Sequence, residues 1–324
     1  MNLNTKTLAE LVEAMKKTRA FDTDAYLSKK REAINKFFHD NRLNAAVVGL
    51  SGGVDSAVTL MLLLSASDMY GSPIKKVVAV IAPIHNDGVT GQDEATQKAK
   101  KLVKKFSFVP QLEAVYCPLK NAAKEIIDNS YPLTYVNGEE KVGFCHLMNS
   151  WVTGQMDSVL RTPVFYMQAA RLQDDGYKSL VVGTTNRDEG SYIGFFGKAS
   201  DGMVDLQPIA DIHKSEVYKL AVELGVTQEI IGDEPKGDVW DGRVDEEMIG
   251  APYWFLEMYL NFKMQSNITI EDTLAGLNPG ELERFKKYAF AIEKLHTINA
   301  HKYKVGSPAH FIDIMPRTVP GGWK

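Results

Sequence analysis

Cysteine is almost absent from this sequence: among 324 residues there are only Cys117 and Cys145. They form no CxxC pair, and with scattered histidines they supply neither a disulfide framework nor a zinc-site spacing, which suits a reducing, cytoplasmic setting. Long apolar runs are also missing. No stretch approaches the roughly 18 apolar residues of a membrane span, and the opening MNLNTKTLAELVEAMKK reads as an amphipathic helix without the apolar core of a signal peptide. Charge of neither sign prevails: 37 basic against 41 acidic residues leave a formal net charge of -4. That excludes a general attraction to nucleic acid or anionic membrane, so a polyanionic substrate must be held by a local site. Internal repeats and low-complexity tracts are lacking too.

What is present is apolar material for a core, 44% of the residues. Short runs rich in β-branched residues, Ala45 to Leu50, Val77 to Ala82, Leu112 to Cys117 and Leu180 to Gly183, read as strands buried on both faces. Between them Ser56 to Ser67, Gln92 to Phe106, Lys120 to Asp128 and Asp157 to Gln173 carry helix-period apolar residues. This alternation predicts an α/β fold, an open parallel sheet with helices on both faces and right-handed crossovers. We expect one domain over 1–324, with a helical N-terminal segment over about 1–40 and a C-terminal helical part over about 212–324. That part includes His213 to Leu224 and Pro279 to His301, with no further strong strand beyond Asp205. Tyr131 to Gly154 lacks periodicity and reads as a surface excursion or lid; Gly232 to Gly250, glycine-rich and acidic, reads as a mobile loop.

The strongest local signal is Leu50-Ser51-Gly52-Gly53-Val54-Asp55-Ser56, directly after the first strand and before a helix. Small residues let the backbone turn tightly and turn its N–H groups outward, and the helix N-terminus adds its positive end, making an anion cradle. The Ser51 and Ser56 hydroxyls can add donors. The spacing is neither GxxxxGK[ST] nor GxGxxG. An acidic group among phosphates repels them unless a divalent cation intervenes, so Asp55 reads as a Mg²⁺ ligand. A second dense polar stretch, Gly183 to Gly190, follows the fourth strand, should open at the same sheet edge, and continues through Phe195 to Pro208 to His213-Lys214. Taken alone, Lys214 reads as a solvated helix residue, His213 as exposed or a helix cap, and Phe195 and Phe196 as packing.

Ser51 to Ser56 resembles the pyrophosphate loop of the ATP pyrophosphatases, which cleave ATP between its α and β phosphates. The Gly183 to Pro208 block resembles the NAD synthetases within that group, and the likeness runs in order over roughly residues 40 to 311. The resemblance implies an adenine-nucleotide alpha-hydrolase-like (Rossmann-like) fold. It implies ATP as co-substrate, Mg²⁺ held by Asp55 and Glu189, and amidation of deamido-NAD with ammonia through an adenylate, in a cytoplasmic homodimer. With about forty residues before the first strand, no glutamine amidase is expected. By the same resemblance Leu50 to Ser56, Thr184, Lys214 and Lys236 bind ATP, and Lys214 and Asp201 are catalytic, Asp201 receiving or orienting ammonia. Arg161, Lys198, Asp201, Asp205, Asp245, Glu246, His301 and Lys302 contact the dinucleotide. Two departures stand out: Lys236 replaces a threonine, and Pro163 follows Arg161 in what reads as the first turn of a helix. The shared site of a dimer is expected on two apolar stretches, Asp157 to Gln173 and Ala251 to Phe262.

Overall fold

In the computed structural model the described residues are 7–84, 92–128, 133–136, 139–142, 150–235, 243–264, 274, 276–303 and 309–316. Two helices, α1 (Leu8–Arg19) and α2 (Thr23–Asp40), precede β1 (Ala45–Gly49). Then follow α3 (Val54–Ser67), β2 (Lys76–Ile81), α4 (Gln92–Lys105), β3 (Leu112–Tyr116) and α5 (Lys120–Asp128). The hairpin β4 (Leu133–Val136) and β5 (Glu139–Val142) leads to α6 (Ser150–Asp174) and β6 (Ser179–Val182). Beyond it come α7 (Arg187–Gly190), β7 (Leu206–Gln207), α8 (Lys214–Glu223), α9 (Gln228–Ile231), α10 (Asp245–Ile249), α11 (Tyr253–Met264) and α12 (Pro279–Asn299). A 3-10 turn, Ala300–Lys302, and β8 (His310–Phe311) complete the order.

The main sheet runs β3-β2-β1-β6-β7-β8, every neighbouring pair parallel. Because side chains alternate across a strand, β1 feeds two cores. Ala46 and Val48 pack with Ala57, Leu60 and Leu220 under α2, α3 and α8, while Ala45 and Val47 pack with Val164 and Leu172 of α6. A third core joins Leu8, Leu11 and Met15 of α1 to Phe255, Leu256 and Met258 of α11 and to Phe285 and Ile292 of α12. Burying a Leu or Phe this fully is worth roughly 1.5–3 kcal/mol each, and this third core fastens the helical C-terminal part.

Several expectations are corrected. β3 is an edge strand, not buried on both faces: Tyr116 is exposed and Glu113 half-buried, where Lys76 and Arg171 neutralise it. Two further strands, β7 and β8, lie beyond Asp205. The 131–154 excursion contains β4 and β5, and α6 begins at Ser150, so Pro163 lies inside a 25-residue helix rather than in its first turn. Proline removes the bond that Val159 C=O would accept; both residues face solvent, where water can satisfy that carbonyl. Within 232–250, residues 245–249 form α10, closed by Gly250 at φ 75°; residues 236–242 lie outside the described residues.

Candidate active site

β1 is flanked by β2 on one side and β6 on the other, so the chain leaves neighbouring strand ends in two directions at one edge, the position where open α/β sheets form ligand clefts. The 50–56 loop leaves β1 there, and the 183–190 segment leaves β6. Leu50 is buried under the loop. Gly52 has φ 96°, and a Cβ there would collide with the Ala95 carbonyl of α4, so both conformation and space demand glycine. Ser56 Oγ donates to Gly53 O (3.0 Å) and accepts from Ser51 N (3.2 Å); Ser51 Oγ accepts from Gly53 N (3.2 Å). The hydroxyls thus brace the turn, and Gly53, in extended conformation, is the N-cap of α3.

Asn186 caps α7 by accepting from Glu189 N (3.1 Å), and its amide nitrogen donates to Asp55 Oδ1 (2.9 Å) and Glu189 Oε1 (2.8 Å). Lys214, at the first turn of α8, places Nζ 2.5 Å from Asp55 Oδ2 and 3.1 Å from Glu189 Oε1. Tyr253 OH donates to Glu189 Oε1 (2.9 Å) and lies 3.2 Å from Asp245 Oδ2. Burial, with help from the charges of Asp55 and Asp245, pushes the Glu189 carboxyl up to about 7 against the opposing pull of Lys214. For Lys214, burial disfavours the charged form, but Asp55 and Glu189 outweigh it and hold its pKa above the ordinary lysine value. Contrary to the reading of Lys214 as solvated, the side chain is 5% exposed.

Behind this cluster His213 caps α8 and is fully buried, not exposed. Its Nδ1 lies 2.6 Å from Asp188 Oδ1, and its Nε2 meets the Arg187 guanidinium. Arginine can only donate, so Nε2 accepts and the proton sits on Nδ1, facing the carboxylate. Burial and the Arg187 charge pull the imidazole down to about 3. Asp188 Oδ2 also accepts from Lys214 N (2.7 Å), which ties the start of α8 to α7.

The remaining expected residues are spread around the cleft. Thr184 is half-buried just past β6, and Lys198 and Asp201 are exposed on the loop before β7. Asp201 Oδ2 accepts from Gly197 N (3.3 Å) and Ser200 Oγ (3.2 Å). Asp205 turns inward, Oδ2 accepting from Val181 N at 2.7 Å, and Arg161 Nε donates to Ala82 O at 2.9 Å. Asp245 stands in the carboxylate cluster, and Glu246 Oε1 caps α11 at Tyr253 N (2.8 Å). His301 is exposed, while Lys302 Nζ donates to Gly194 O (2.8 Å) and Phe196 O (2.5 Å). Lys236 lies outside the described residues. Phe196 packs edge-on against Tyr303, and Phe195 against the third core.

Sequence reasoning gave no role at this site to Asn186, Asp188 or Tyr253, the last being expected only within the apolar Ala251 to Phe262 face of a dimer. Asn186 carries a detectable signal, a capping residue with Glu three positions later. Tyr253, 64 residues from Glu189, carries none.

Three carboxyl groups, Asp55, Glu189 and Asp245, against one ammonium, Lys214, leave a local excess of negative charge, which a cation would increase by drawing the proton off Glu189. That donor set fits a hard divalent cation. Among the described residues no group of three or more His, Cys, Asp or Glu side chains forms a ready-made cage. Such a cation would complete its shell with substrate oxygens and water, the usual habit of Mg²⁺.

A model of the NAD synthase family matches residues 26–306. The NH3-dependent NAD(+) synthetase of Syntrophomonas wolfei is 32% identical over 214 residues, 66% of this chain and 74% of that protein. The one of Thermoplasma volcanium is 29% identical over 279 residues, 85% and 92%. Among solved structures, the NMN synthetase of Francisella tularensis superposes with a TM-score of 0.66 at 23% identity, over 88% of this chain and 97% of that one, a likeness of fold.

Proposed function

The chain belongs to the NAD synthase family, and from that premise we propose that it uses ATP to adenylate the nicotinate carboxylate of deamido-NAD and passes the acyl group to ammonia, giving NAD, AMP and pyrophosphate. The observation that carries this reading is the convergence of Asp55, Glu189 and Lys214 on the glycine loop at the β1–β6 switch point. A carboxylate does not yield an amide with ammonia directly, because oxide is too poor a leaving group. A carboxylate oxygen attacks the α-phosphorus, that P–O bond forms, and the bond to the β-phosphate oxygen breaks. Ammonia then attacks the acyl carbon, loses a proton and displaces AMP.

In this scheme the N–H groups and hydroxyls of 51–56 cradle the phosphates, and the fixed charges stabilise what develops on them. Lys214 reaches the phosphates from its place between the carboxylates. Mg²⁺, held by Asp55 and Glu189, would neutralise charge on departing pyrophosphate. In this scheme Asp201, exposed on the loop before β7, receives or orients ammonia. Lys198 and His301, with exposed side chains, remain proposed dinucleotide contacts, together with Arg161, Asp205, Asp245 and Glu246, whereas the Lys302 ammonium, bound to Gly194 O and Phe196 O, is taken out of that set. The remaining ATP contacts are Leu50, Thr184 and Lys236. No Ser/His/Asp triad is required, since positioning and electrostatics do the work.

Among the described residues no helix is long and apolar enough to cross a membrane, and we place the enzyme in the cytoplasm. We also propose a homodimer. Of its two expected faces, Ala251 to Phe262 is corrected: Phe255, Leu256, Met258 and Leu260 are fully buried in the chain's own third core. The support left is a stripe on α6, Val159, Pro163, Met167 and Ala170, exposed at helical spacing. Incubation with ATP, deamido-NAD and either ammonium or glutamine tests the nitrogen source: NAD should form with ammonium and rise with pH about tenfold per unit below the ammonium pKa. Equal activity with glutamine alone contradicts it.

A further inference from the structure

The loop from Gly190 to Phe196 joins Glu189 to the Lys198–Asp201 turn, and its backbone carbonyls point at one neighbour. Tyr303 OH donates to Gly190 O (3.2 Å), His296 Nδ1 to Tyr192 O (2.8 Å) and Asn299 Nδ2 to Ile193 O (2.8 Å). Lys302 Nζ donates to Gly194 O (2.8 Å) and Phe196 O (2.5 Å). Five loop carbonyls are thus held by side chains from α12 and the turn that follows it. The approach is close as well as polar. Gly194 has φ 63°, and a Cβ there would stand 2.7 Å from Asn299 Cβ, while the His296 ring stacks on Tyr192 at 3.9 Å.

The far end of the same loop is held from the sheet. Gln207 of β7 is buried, its Nε2 donates to Asp201 O (2.8 Å), and its Oε1 accepts from Thr185 N (3.2 Å). Between the two anchors Phe195 N bonds back to Glu189 O (2.9 Å). We infer that Lys302, with His296, Asn299 and Tyr303, is a positioning residue: it fixes the 190–196 loop and through it the spacing between Glu189 and Asp201. This takes the place of the dinucleotide contact that resemblance assigns to Lys302, and it rests on the proposed roles of Glu189 and Asp201.

The chemistry supports the assignment. An ammonium with two carbonyl acceptors in a partly buried setting makes charge-assisted bonds stronger than neutral ones. Burial presses the Lys302 pKa below the ordinary value, with the Asp201 charge opposing, as expected of a cation drawn inward onto the loop.

Lys302→Met keeps the aliphatic stem and deletes every donor. In the full-length protein without substrates, amide exchange at 195–203 should speed up about tenfold or more, while β1 and α3 keep their rates. The kcat should fall about tenfold, with KM for deamido-NAD within about threefold of the parent value. Lys302→Arg, retaining a cation with several donors, should restore slow exchange. Should Lys302→Met not fold, Asn299→Ala, which deletes one donor, carries the same exchange test. Unchanged exchange at 195–203 with a raised KM overturns the inference in favour of a substrate contact; a rise shared equally by β1 overturns it in favour of general destabilisation. Because exchange is read without turnover, failure of the proposed reaction would show separately, as absence of NAD formation by the parent enzyme.

Discussion

Lys214 Nζ lies 2.5 Å from Asp55 Oδ2, although 159 positions separate the two residues. Asp55 comes from the first turn of α3, the helix after β1, and Lys214 from the helix after β7, so only the parallel sheet brings them together. A buried pair of this kind is strong in place and costly to break from one side: about 3–5 kcal/mol when one partner is removed. With Glu189 sharing the same ammonium, the three side chains form one electrostatic unit.

Asp55→Asn and Glu189→Gln should therefore each lower kcat by about a hundredfold or more, since fixed charge at the departing phosphate supplies much of such catalysis. The far-ultraviolet spectrum should stay unchanged, because each substitution keeps the side-chain shape. Single-turnover quench experiments following AMP locate the loss in adenylation. Near-parental turnover in both variants removes the two-carboxylate metal site.

Gly52→Ala adds one methyl group where φ is 96° and the Ala95 carbonyl occupies the space. The strained backbone costs about 1–3 kcal/mol and the collision adds to it. Urea unfolding should show a clearly lowered midpoint, whereas Gly53→Ala, with only Ser51 Oγ at 3.5 Å from its Cβ, should be milder. Equal midpoints for the two would show that Gly52 is not held as described.

These elements also show what a sequence exposes. The 45–50 run and the glycine loop were legible because continuous β-branched residues followed by small polar ones leave few alternatives to strand, turn and helix. β7 and β8, two residues each, are too short to carry any period. The start of α6 was obscured by Pro163, whose effect depends on whether the carbonyl it orphans faces water. At the site, Asp55 and Glu189 were legible through their motifs. Tyr253 was not, because its place beside Glu189 is set by packing of α11 against α1, α7 and α12.

His213 gives a pH signature. Its folded pKa, pulled to about 3 by burial and Arg187, lies below the roughly 6.5 of an unfolded histidine. Between those values the unfolded chain binds a proton that the folded chain refuses, so this residue makes stability fall as pH falls. Asp188, raised to about 6 by burial, opposes it only between its folded value and about 3.9. His213→Asn removes the histidine contribution. Near pH 5 the slope of unfolding free energy against pH should drop by about 1.4 kcal/mol per unit relative to the parent. Identical slopes would mean that His213 is protonated in the folded state.

The exposed α6 stripe predicts a dimer. Light scattering at micromolar concentration should give twice the 36.0 kDa chain mass, and Met167→Glu should return it to the monomer by placing charge in an apolar interface. A fully active parental monomer contradicts both the dimer and a site shared across it.

The central claim is cleavage of ATP at its α–β bond, driven by a nicotinate carboxylate. Quantifying the products of ATP with deamido-NAD, with nicotinate mononucleotide, or with neither tests it most directly. The account predicts AMP and pyrophosphate in equal amounts, released with deamido-NAD and ammonium and matched by NAD formed. ADP and orthophosphate as products, or AMP release indifferent to deamido-NAD, would contradict it.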